Sequence, residues 1–442
     1  MKKTLFFTLL LLAVVLLLMP AAVGVSAENQ FRRLAANVEE AAPGYRFVVD
    51  EYERGWFSSR ARYHLELGPQ LVAEMLAGDG DIDQLPTFAS EAKILHGPIF
   101  FAGFGEPGVS LLPALAHSID EVTVTGIDGE KIAIPGAIST RLGFFGHHVN
   151  VIAFDALTSS FDAGGQPAEI NWEGMHLETH FNSSLDEVAF SGEIGAMGLV
   201  MNAIRVEIGT LQLGGEQQLT EFGFWSGDQS GRFAGFAMTT GDGPDFSMGQ
   251  LSWSATISTD DRAVDQHVDL SVDFIELEGW RSGTARLLVT IDGLDAAAIG
   301  ALIEKPERIF SAGGDGAVGD IFGRFAFFEQ LLAHGPSVDL EELSIVTPDG
   351  VLSVRARINV PETAQGTLAE MLANLDASAN LQLPAALAEL LALHNPEAGA
   401  QLEGLVAAGL LLEKEGVLIM DVALKGALLT INGQPMALPF LL

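Results

Sequence analysis

The sequence predicts an α+β protein made mainly of antiparallel β-sheet, with a large twisted or curled sheet and a helix-containing C-terminal part. Three observations predict this class. Apolar and polar residues alternate along many segments, glycine-rich turns separate those segments, and the apolar period lengthens after Gly293. The chain has 442 residues, of which 48% are hydrophobic, and this excludes a disordered or fibrous protein because disorder requires low hydrophobicity.

The N-terminal segment carries the clearest indication of location. Two lysines precede an uncharged run of 24 residues from Thr4 to Ala27, which is long enough to cross a bilayer and has an apolar core from Leu5 to Met19. A basic start, an apolar stretch and small residues near Ala27 are typical of an export signal, and an uncleaved membrane anchor is the alternative. Positive charges stay on the cytoplasmic side, so the chain after residues 1–27 is expected in the periplasm or on the periplasmic face of the inner membrane.

Residues 28–290 are predicted to form a mainly antiparallel β portion. Period-2 alternation occurs from Glu121 to Ile127, from Met201 to Leu213 and from Gln266 to Leu277. Such alternation indicates strands with one face buried and the other in water, which is typical of antiparallel sheet. Glycine-rich turns lie between these segments, and the glycines show no fixed period that would indicate a solenoid or a propeller.

Residues 291–442 are predicted to form an α+β portion. Helical periodicity covers residues 294–304, 320–334, 362–375 and 384–412, and the last of these is interrupted at Asn395 and Pro396. Strands are predicted at residues 338–346 and 352–358, joined by a turn from Thr347 to Gly350, because a Pro-Asp-Gly run favours a turn. Two further strands, at residues 417–424 and 427–431, close the chain.

The charge balance restricts the partners. The chain carries 58 acidic and 23 basic side chains, a formal net charge of −35. Nucleic acid is not expected as a partner, since phosphate binding needs clustered Lys and Arg, and adsorption to anionic headgroups is disfavoured for the same reason. The absence of cysteine excludes disulfides and thiol chemistry.

Two short motifs stand out near the start of the β portion. The first contains Tyr52, Arg54, Gly55, Trp56, Phe57, Ser58 and Ser59, and the second contains His96, Gly97 and Pro98. The first motif is predicted to be a strand-turn-strand in which Trp56 and Phe57 anchor the bend in the core, while Ser58 and Ser59 bond turn amides. Neither serine lies in a G-x-S-x-G elbow or beside a local base, so no catalytic residue is expected. His96 is expected to be a turn or core residue.

Together these motifs resemble the YdgA-like family of bacterial envelope proteins. The Thr347–Gly350 turn and the closing segment from Ile431 to Met436 agree with that family in order along the chain. The resemblance implies an N-terminal membrane segment and a location in the envelope. The family has no known function, so the resemblance implies no catalytic residue.

Histidine provides one candidate metal site. His176, Glu178 and His180 lie two apart, so on a strand all three side chains point to one face. Imidazole and carboxylate are suitable ligands for zinc or a similar metal. However, the first and last side chains of such a run lie about 13 Å apart, so a wet strand face is the more economical interpretation.

These observations lead to three hypotheses of function. The first is a non-enzymatic structural or interaction module facing the periplasm. The second is a carrier or binder of an apolar ligand such as lipid, and the third is a metal-dependent hydrolase that uses the His-x-Glu-x-His face. The expected partners are the cytoplasmic membrane through an uncleaved N-terminal segment, an apolar ligand, and a second copy of the chain. No cofactor is expected.

Overall fold

A computed structural model describes the parts of the chain on which the following account rests. These are residues 19–29, 45–67, 87–98, 100, 113–125, 131–162, 166–241, 245–260, 262–304, 327–361, 370, 374–426 and 428–436. Within them, strands greatly outnumber helices and every pairing given below is antiparallel, which confirms the predicted class.

The strands follow one another along the chain with three helices near the end. They are β1 (Tyr45–Arg54), β2 (Ser58–Leu67), β3 (Thr87–His96), β4 (Ala116–Thr125), β5 (Lys131–Leu142), β6 (His147–Phe154), β7 (Leu157–Asp162), β8 (Pro167–Trp172), β9 (Met175–Asn182), β10 (Glu187–Ile194), β11 (Met197–Met201), β12 (Ile204–Ile208), β13 (Leu211–Leu219), β14 (Trp225–Phe233), β15 (Phe236–Thr239), β16 (Phe246–Met248), β17 (Leu251–Thr259), β18 (Ala263–Val272), β19 (Ile275–Leu277), β20 (Trp280–Arg281), β21 (Ala285–Asp295), α1 (Ala296–Glu304), β22 (Ser337–Thr347), β23 (Gly350–Asn359), β24 (Asp376–Pro384), α2 (Ala385–His394), α3 (Pro396–Ala407), β25 (Leu412–Lys414), β26 (Val417–Lys425), β27 (Leu428–Ile431) and β28 (Gln434–Met436).

The chain divides into two compact units. Unit 1 comprises Met1–Asp162 and Glu169–Met197, and unit 2 comprises Ala163–Ala168 and Gly198–Leu442. In unit 1 the strands β1, β2, β3, β4, β5, β6, β9 and β10 pair in that order. Residues 19–29 form a helix, and its Val23 and Ala27 pack against the sheet on a cluster made of Ala61, Ala92, Ile94 and Ala116.

Unit 2 contains a longer antiparallel series. The strands β13, β14, β17, β18, β21, β22, β23, β24, β26, β27 and β28 pair in that order, and β25 adds to β26. A second, smaller series pairs β12, β15, β16, β19 and β20. Each connection between the two series is a short break, and glycine stands at several of them because the backbones approach closely there. A Cβ on Gly209 or on Gly249 would lie under 3.0 Å from a neighbouring atom.

Most predicted elements agree with the structure. Helix α1 confirms the predicted helix at residues 294–304, and α2 and α3 confirm the interruption at Asn395, whose side chain accepts a hydrogen bond from the backbone N–H of Ala398. The predicted hairpin turning at Thr347–Gly350 joins β22 to β23. The predicted strands from Met201 to Leu213 and from Gln266 to Leu277 are instead each divided in two by a break in the sheet.

Several predictions fall wholly or partly outside the described residues. They are most of the helix at residues 362–375, the first part of the helix at residues 320–334, and the greater part of the predicted export segment. In the described part of the second of these, residues 327–331 are helical, as predicted. Where the structure does describe the chain, it contains no helix long and apolar enough to cross a membrane.

Candidate functional site

The two sequence motifs of unit 1 meet at one end of its sheet. The β1–β2 turn is closed by the backbone N–H of Gly55, which donates to the carbonyl of Ser58 at 2.9 Å. The backbone N–H of His96 donates to the carbonyl of Phe57 at 2.8 Å. Residues that are far apart in sequence therefore form one compact cluster, which we call the signature cluster: Trp56, Ser59, His96 and Gly97.

A hydrogen-bonded chain lies at the centre of the signature cluster. Ser59 Oγ lies 3.0 Å from His96 Nε2, and His96 Nδ1 lies 3.2 Å from the Trp56 carbonyl oxygen. Since a carbonyl only accepts, Nδ1 carries the proton and donates it, and Nε2 accepts from the Ser59 hydroxyl. Both side chains are buried, with exposed fractions of 2% for Ser59 and 0% for His96. Burial lowers the pKa of His96, which favours the neutral ring that this arrangement needs.

Gly97 is required by a close backbone approach. Its N–H donates to the carbonyl of Leu115 at 2.7 Å, and the Gly97–Pro98 peptide bond is cis. A Cβ at this position would lie 1.7 Å from the carbonyl oxygen of Ala114. Any side chain here would therefore force the two backbone segments apart. The absence of a side chain therefore lets the chain leave β3 directly beside the start of β4.

The helix at residues 19–29 covers the signature cluster. A Cβ on Gly24 would lie 2.5 Å from His96 Cε1, so the helix backbone rests on the imidazole ring. Glu28 pairs with Arg54 at 3.3 Å. Small side chains beneath the helix let it approach the sheet, as the buried alanines of the cluster show.

The arrangement has the hydrogen bonds of a nucleophile and its base, but not the access that catalysis requires. A serine nucleophile must reach a substrate, and Ser59 lies under a helix with its hydroxyl committed to His96. The contacts that exist bind the turn, the end of β3 and the helix together. The contacts of the signature cluster are therefore those of a structural element that holds these three segments in place.

One sequence prediction about this cluster is wrong. Trp56 was expected in the core, but 52% of its surface is exposed. The turn places its carbonyl inward, toward His96, and its side chain outward. Ser59 also bonds His96 and not a turn amide, because the turn is closed by the Ser58 carbonyl.

A second polar group lies on the same face of the unit 1 sheet. The Tyr63 hydroxyl donates to Asp120 Oδ2 at 3.3 Å, and the Ser118 hydroxyl donates to Asp120 Oδ1 at 2.5 Å. Burial raises the pKa of Asp120. The pKa of Tyr63 is also raised, first by burial and then by the nearby charge of Asp120. These partners satisfy a carboxyl group that is only 8% exposed.

The candidate metal residues lie on β9 as predicted, with all three at alternate positions. Glu178 Oε1 accepts from His180 Nε2 at 2.8 Å, while His176 pairs with Glu193 in the strand register. In the described parts of the chain, no group of three or more His, Asp or Glu side chains is close enough to hold a metal ion. His148, on the neighbouring strand, is buried and bonds Ser183 Oγ at 2.9 Å through Nε2.

Unit 2 presents a different kind of candidate surface, a continuous apolar sheet face. Cross-strand partners share a face, so the register of the strands can be followed from β13 to β27. One row contains Leu213, Gly231, Trp253, Leu270, Leu287, Leu343, Val354, Leu381 and Met420. The next row runs from β17 to β27 and contains Ala255, Val268, Val289, Leu340, Ala356, Ala379, Val422 and Ile431; on β14 its next position is the exposed Gln229. We call these two rows the apolar face.

Among the residues that the structure describes, helices cover only the two ends of this surface. At one end, Leu381 and Met420 pack against a buried cluster that includes Ala388 of α2 and Leu411. At the other end, Val264 and Ile257 pack against Ala296 and Ile299 of α1. Every member of the two rows is half-buried.

The opposite face of the same sheet is polar. Its rows include Arg232, Ser252, Ser271, Arg286 and Ser344. Grooves of about 900 and 630 Å³ lie on this polar side, lined by charged and hydroxyl side chains such as Arg357, Asp421 and Ser254. An apolar ligand would gain little there, so the two faces differ clearly in the chemistry that they offer.

These features define a mainly antiparallel β protein with a structural signature cluster and a broad apolar sheet face. The chain belongs to a bacterial family described as "Bacterial protein of unknown function (DUF945)", whose model matches residues 1–439. Neither the curated proteins nor the solved structures contain a match to the chain.

The signature cluster was only partly visible in the sequence. Both motifs were noticed, but the contact between Ser59 and His96 joins residues 37 positions apart. No local pattern indicates such a contact. The apolar face was visible as alternation in β18, whereas its extent depends on the strand register, which sequence alone does not give.

Proposed function

We propose that the protein is an exported envelope protein that binds an apolar ligand, such as a lipid acyl chain, on the apolar face of unit 2. The observation that carries the proposal is the pair of apolar rows, one from β13 to β26 and the other from β17 to β27, half-buried and covered only at their ends by described helices. Large apolar patches on a folded protein indicate a binding surface.

The dimensions of the face suit a lipid. Neighbouring strands lie about 4.8 Å apart, so the rows extend across roughly 40 Å. One acyl chain occupies about half of a bilayer core that is about 30 Å thick, so the face has room for more than one chain. Leu, Val and Trp side chains provide apolar contact along the whole width.

Location supports the same proposal. The two lysines before the apolar segment favour an outward orientation of everything that follows, and the signature motifs favour the YdgA-like group of envelope proteins. A fusion of alkaline phosphatase after the last residue should therefore be active in cells. An inactive phosphatase, together with an active cytoplasmic reporter at the same position, would contradict the location.

Ligand binding is best tested with a matched pair of variants on neighbouring residues. Leu270 lies in the apolar face, and Ser271 points to the polar face of the same strand. The full chain should bind a fluorescent fatty acid or phospholipid saturably. Leu270→Asp should abolish this binding because a carboxylate in the row disfavours acyl contact, whereas Ser271→Asp should leave it unchanged.

Each outcome of that experiment has a definite meaning. Circular dichroism and the melting temperature of both variants show whether the fold is intact. No saturable binding by the natural chain at micromolar concentration contradicts an apolar ligand and leaves a structural or interaction module. Equal loss of binding in both variants contradicts the apolar face as the site.

A further inference from the structure

We propose that one end of the unit 1 sheet rests on the lipid bilayer through exposed apolar side chains at its turns. This tip surface consists of Trp56 in the β1–β2 turn, Phe145 in the β5–β6 turn and Leu185 in the β9–β10 turn. The inference concerns unit 1 alone and does not depend on ligand binding by unit 2.

The strand register places the three turns at the same end of the sheet. One cross-strand row runs from His96 through Ala116, Leu142 and His148 to Phe181. The β5–β6 turn comes directly after Leu142, and the β9–β10 turn comes after Asn182, the residue that follows Phe181. The β1–β2 turn comes directly before Ser58, which pairs with Leu95, the neighbour of His96. All three turns therefore extend beyond that row, on the same side.

These turns expose large apolar side chains where polar ones are usual. The exposed fractions are 52% for Trp56, 92% for Phe145 and 57% for Leu185. Leu185 also adopts a φ of 58°, a left-handed conformation that Gly or Asn would adopt with less strain. A leucine held there, with its side chain outward, points to a role for that side chain outside the fold.

The N-terminal helix identifies the partner as a membrane. Gly24 rests on His96 of β3, and Glu28 pairs with Arg54 of β1, so the helix crosses the strands beside their ends. Val25 on its outer side is 45% exposed. Met19 is the first residue of this helix that the structure describes, five positions before Gly24. The residues that precede Met19 in the sequence are the apolar run.

A bilayer fits this combination better than a protein partner. The apolar run directly precedes, in sequence, a helix that packs beside the exposed turns, so a chain held in a membrane by that run would have its tip surface near the lipid. Tryptophan and phenylalanine are favoured at the level of the headgroups, where the ring meets hydrocarbon and water together. Insertion of three separated side chains also needs no basic patch, in agreement with the acidic composition of the chain.

Quenching by brominated lipid tests the proposal in the full chain. The protein is placed in phosphatidylcholine vesicles with bromine on the acyl chains, near the headgroup or near the methyl end, and in matched vesicles without bromine. Tryptophan emission should fall in brominated vesicles, most with bromine near the headgroup. Trp56→Phe should remove this fall, while Trp225→Phe, which lies in unit 2, should retain it.

A variant that gains the signal completes the test. Phe145→Trp, introduced into the Trp56→Phe chain, should restore quenching because it places an indole on the same tip surface. If emission is equal in brominated and ordinary vesicles, the tip surface is not at the lipid. Emission that is shielded from aqueous quenchers but insensitive to bromine would assign the surface to a second copy or another protein and overturn the proposal.

Flotation separates this proposal from the proposed location. Protein that floats with the vesicles but shows no bromine effect contradicts the tip surface alone. Protein that does not float contradicts the tip surface and an uncleaved membrane anchor, but leaves the export that the phosphatase fusion tests. Loss of fatty-acid binding in Leu270→Asp, by contrast, should leave the quenching unchanged.

Discussion

Both units are built from antiparallel strands, but they differ in what covers one face of the sheet. In unit 1 the face beneath the helix at residues 19–29 has alanines and satisfied polar groups, and Ala61 and Ala92 are almost completely buried. In unit 2 the equivalent apolar positions are Leu, Val and Trp, half-buried and covered only at the ends by described helices. In unit 1 small residues allow a helix to pack on the sheet, whereas in unit 2 the described helices leave the middle of the apolar rows uncovered.

Truncation of one side chain on each face should give the largest difference between the units. Ile94→Ala, under the helix, should lower the free energy of unfolding of unit 1 by about 3 kcal/mol, as for other buried Ile side chains. Leu270→Ala, on the apolar face, should cost only about 1 kcal/mol because the side chain is partly exposed already. Urea denaturation with peptide-resolved hydrogen exchange assigns each change to its unit. Equal costs would mean that the apolar face is covered.

Removal of the buried imidazole should give the next largest effect. His96→Ala leaves the Ser59 hydroxyl and the Trp56 carbonyl without this partner, so we expect a loss of about 2–3 kcal/mol. A double-mutant cycle with Ser59→Ala should give a coupling of about 1 kcal/mol. The control is His180→Ala, an exposed imidazole, which should change stability by less than about 0.5 kcal/mol. A coupling near zero would show that the Ser59–His96 hydrogen bond is absent in solution.

Acidification should weaken unit 1 more than unit 2. Burial lowers the pKa of His96, His117 and His148 from 6.5, and all three lie in unit 1. Below pH 6.5 the unfolded chain therefore binds more protons at these histidines than the folded chain does. As a result, the free energy of unfolding falls as the pH decreases from 6.5 toward their lowered pKa values. Hydrogen exchange, corrected for intrinsic rates, should show less protection in unit 1 at pH 5 than at pH 7.

Asp120 provides the control for that prediction because its effect has the opposite sign. Burial raises its pKa above 3.8, so the folded state binds the proton more tightly and this group favours folding as the pH falls. Asp120→Asn removes the opposing effect, so the loss on acidification should become steeper. A variant with a shallower acid loss would contradict this assignment.

The fold was predictable where the evidence is local. Alternation along β18 and the Pro-Asp-Gly turn between β22 and β23 gave the strand and the hairpin because period and turn chemistry are properties of neighbouring residues. The predicted strand from Gln266 to Leu277 missed its break at Asp273. That break is set by backbone contacts with Gly249 and Gln250 on another strand.

The signature cluster was less predictable than the fold, and for a physical reason. Its central contact depends on the register of β2 against β3, which places Ile94 opposite Ser59 and brings His96 to the serine. The helix that buries the pair belongs to the segment whose composition predicts an export signal. Composition reports the affinity of that segment for lipid, but not its packing on the sheet.

The smallest expected effect concerns Trp56, where burial and exposure give opposite predictions. A tryptophan in the core would cost about 3–5 kcal/mol when truncated to alanine. With 52% of its surface exposed, Trp56→Ala should cost less than about 1 kcal/mol, since its backbone carbonyl, which accepts from His96, is retained. Tyr63→Ala is the comparison within the same unit, because Tyr63 stacks on Phe47 at 4.6 Å and bonds Asp120, and it should destabilise several-fold more. Thermal melting of the two variants tests this prediction. A decrease in melting temperature for Trp56→Ala as large as that for Tyr63→Ala would show that the Trp56 side chain is buried and does not belong to the tip surface.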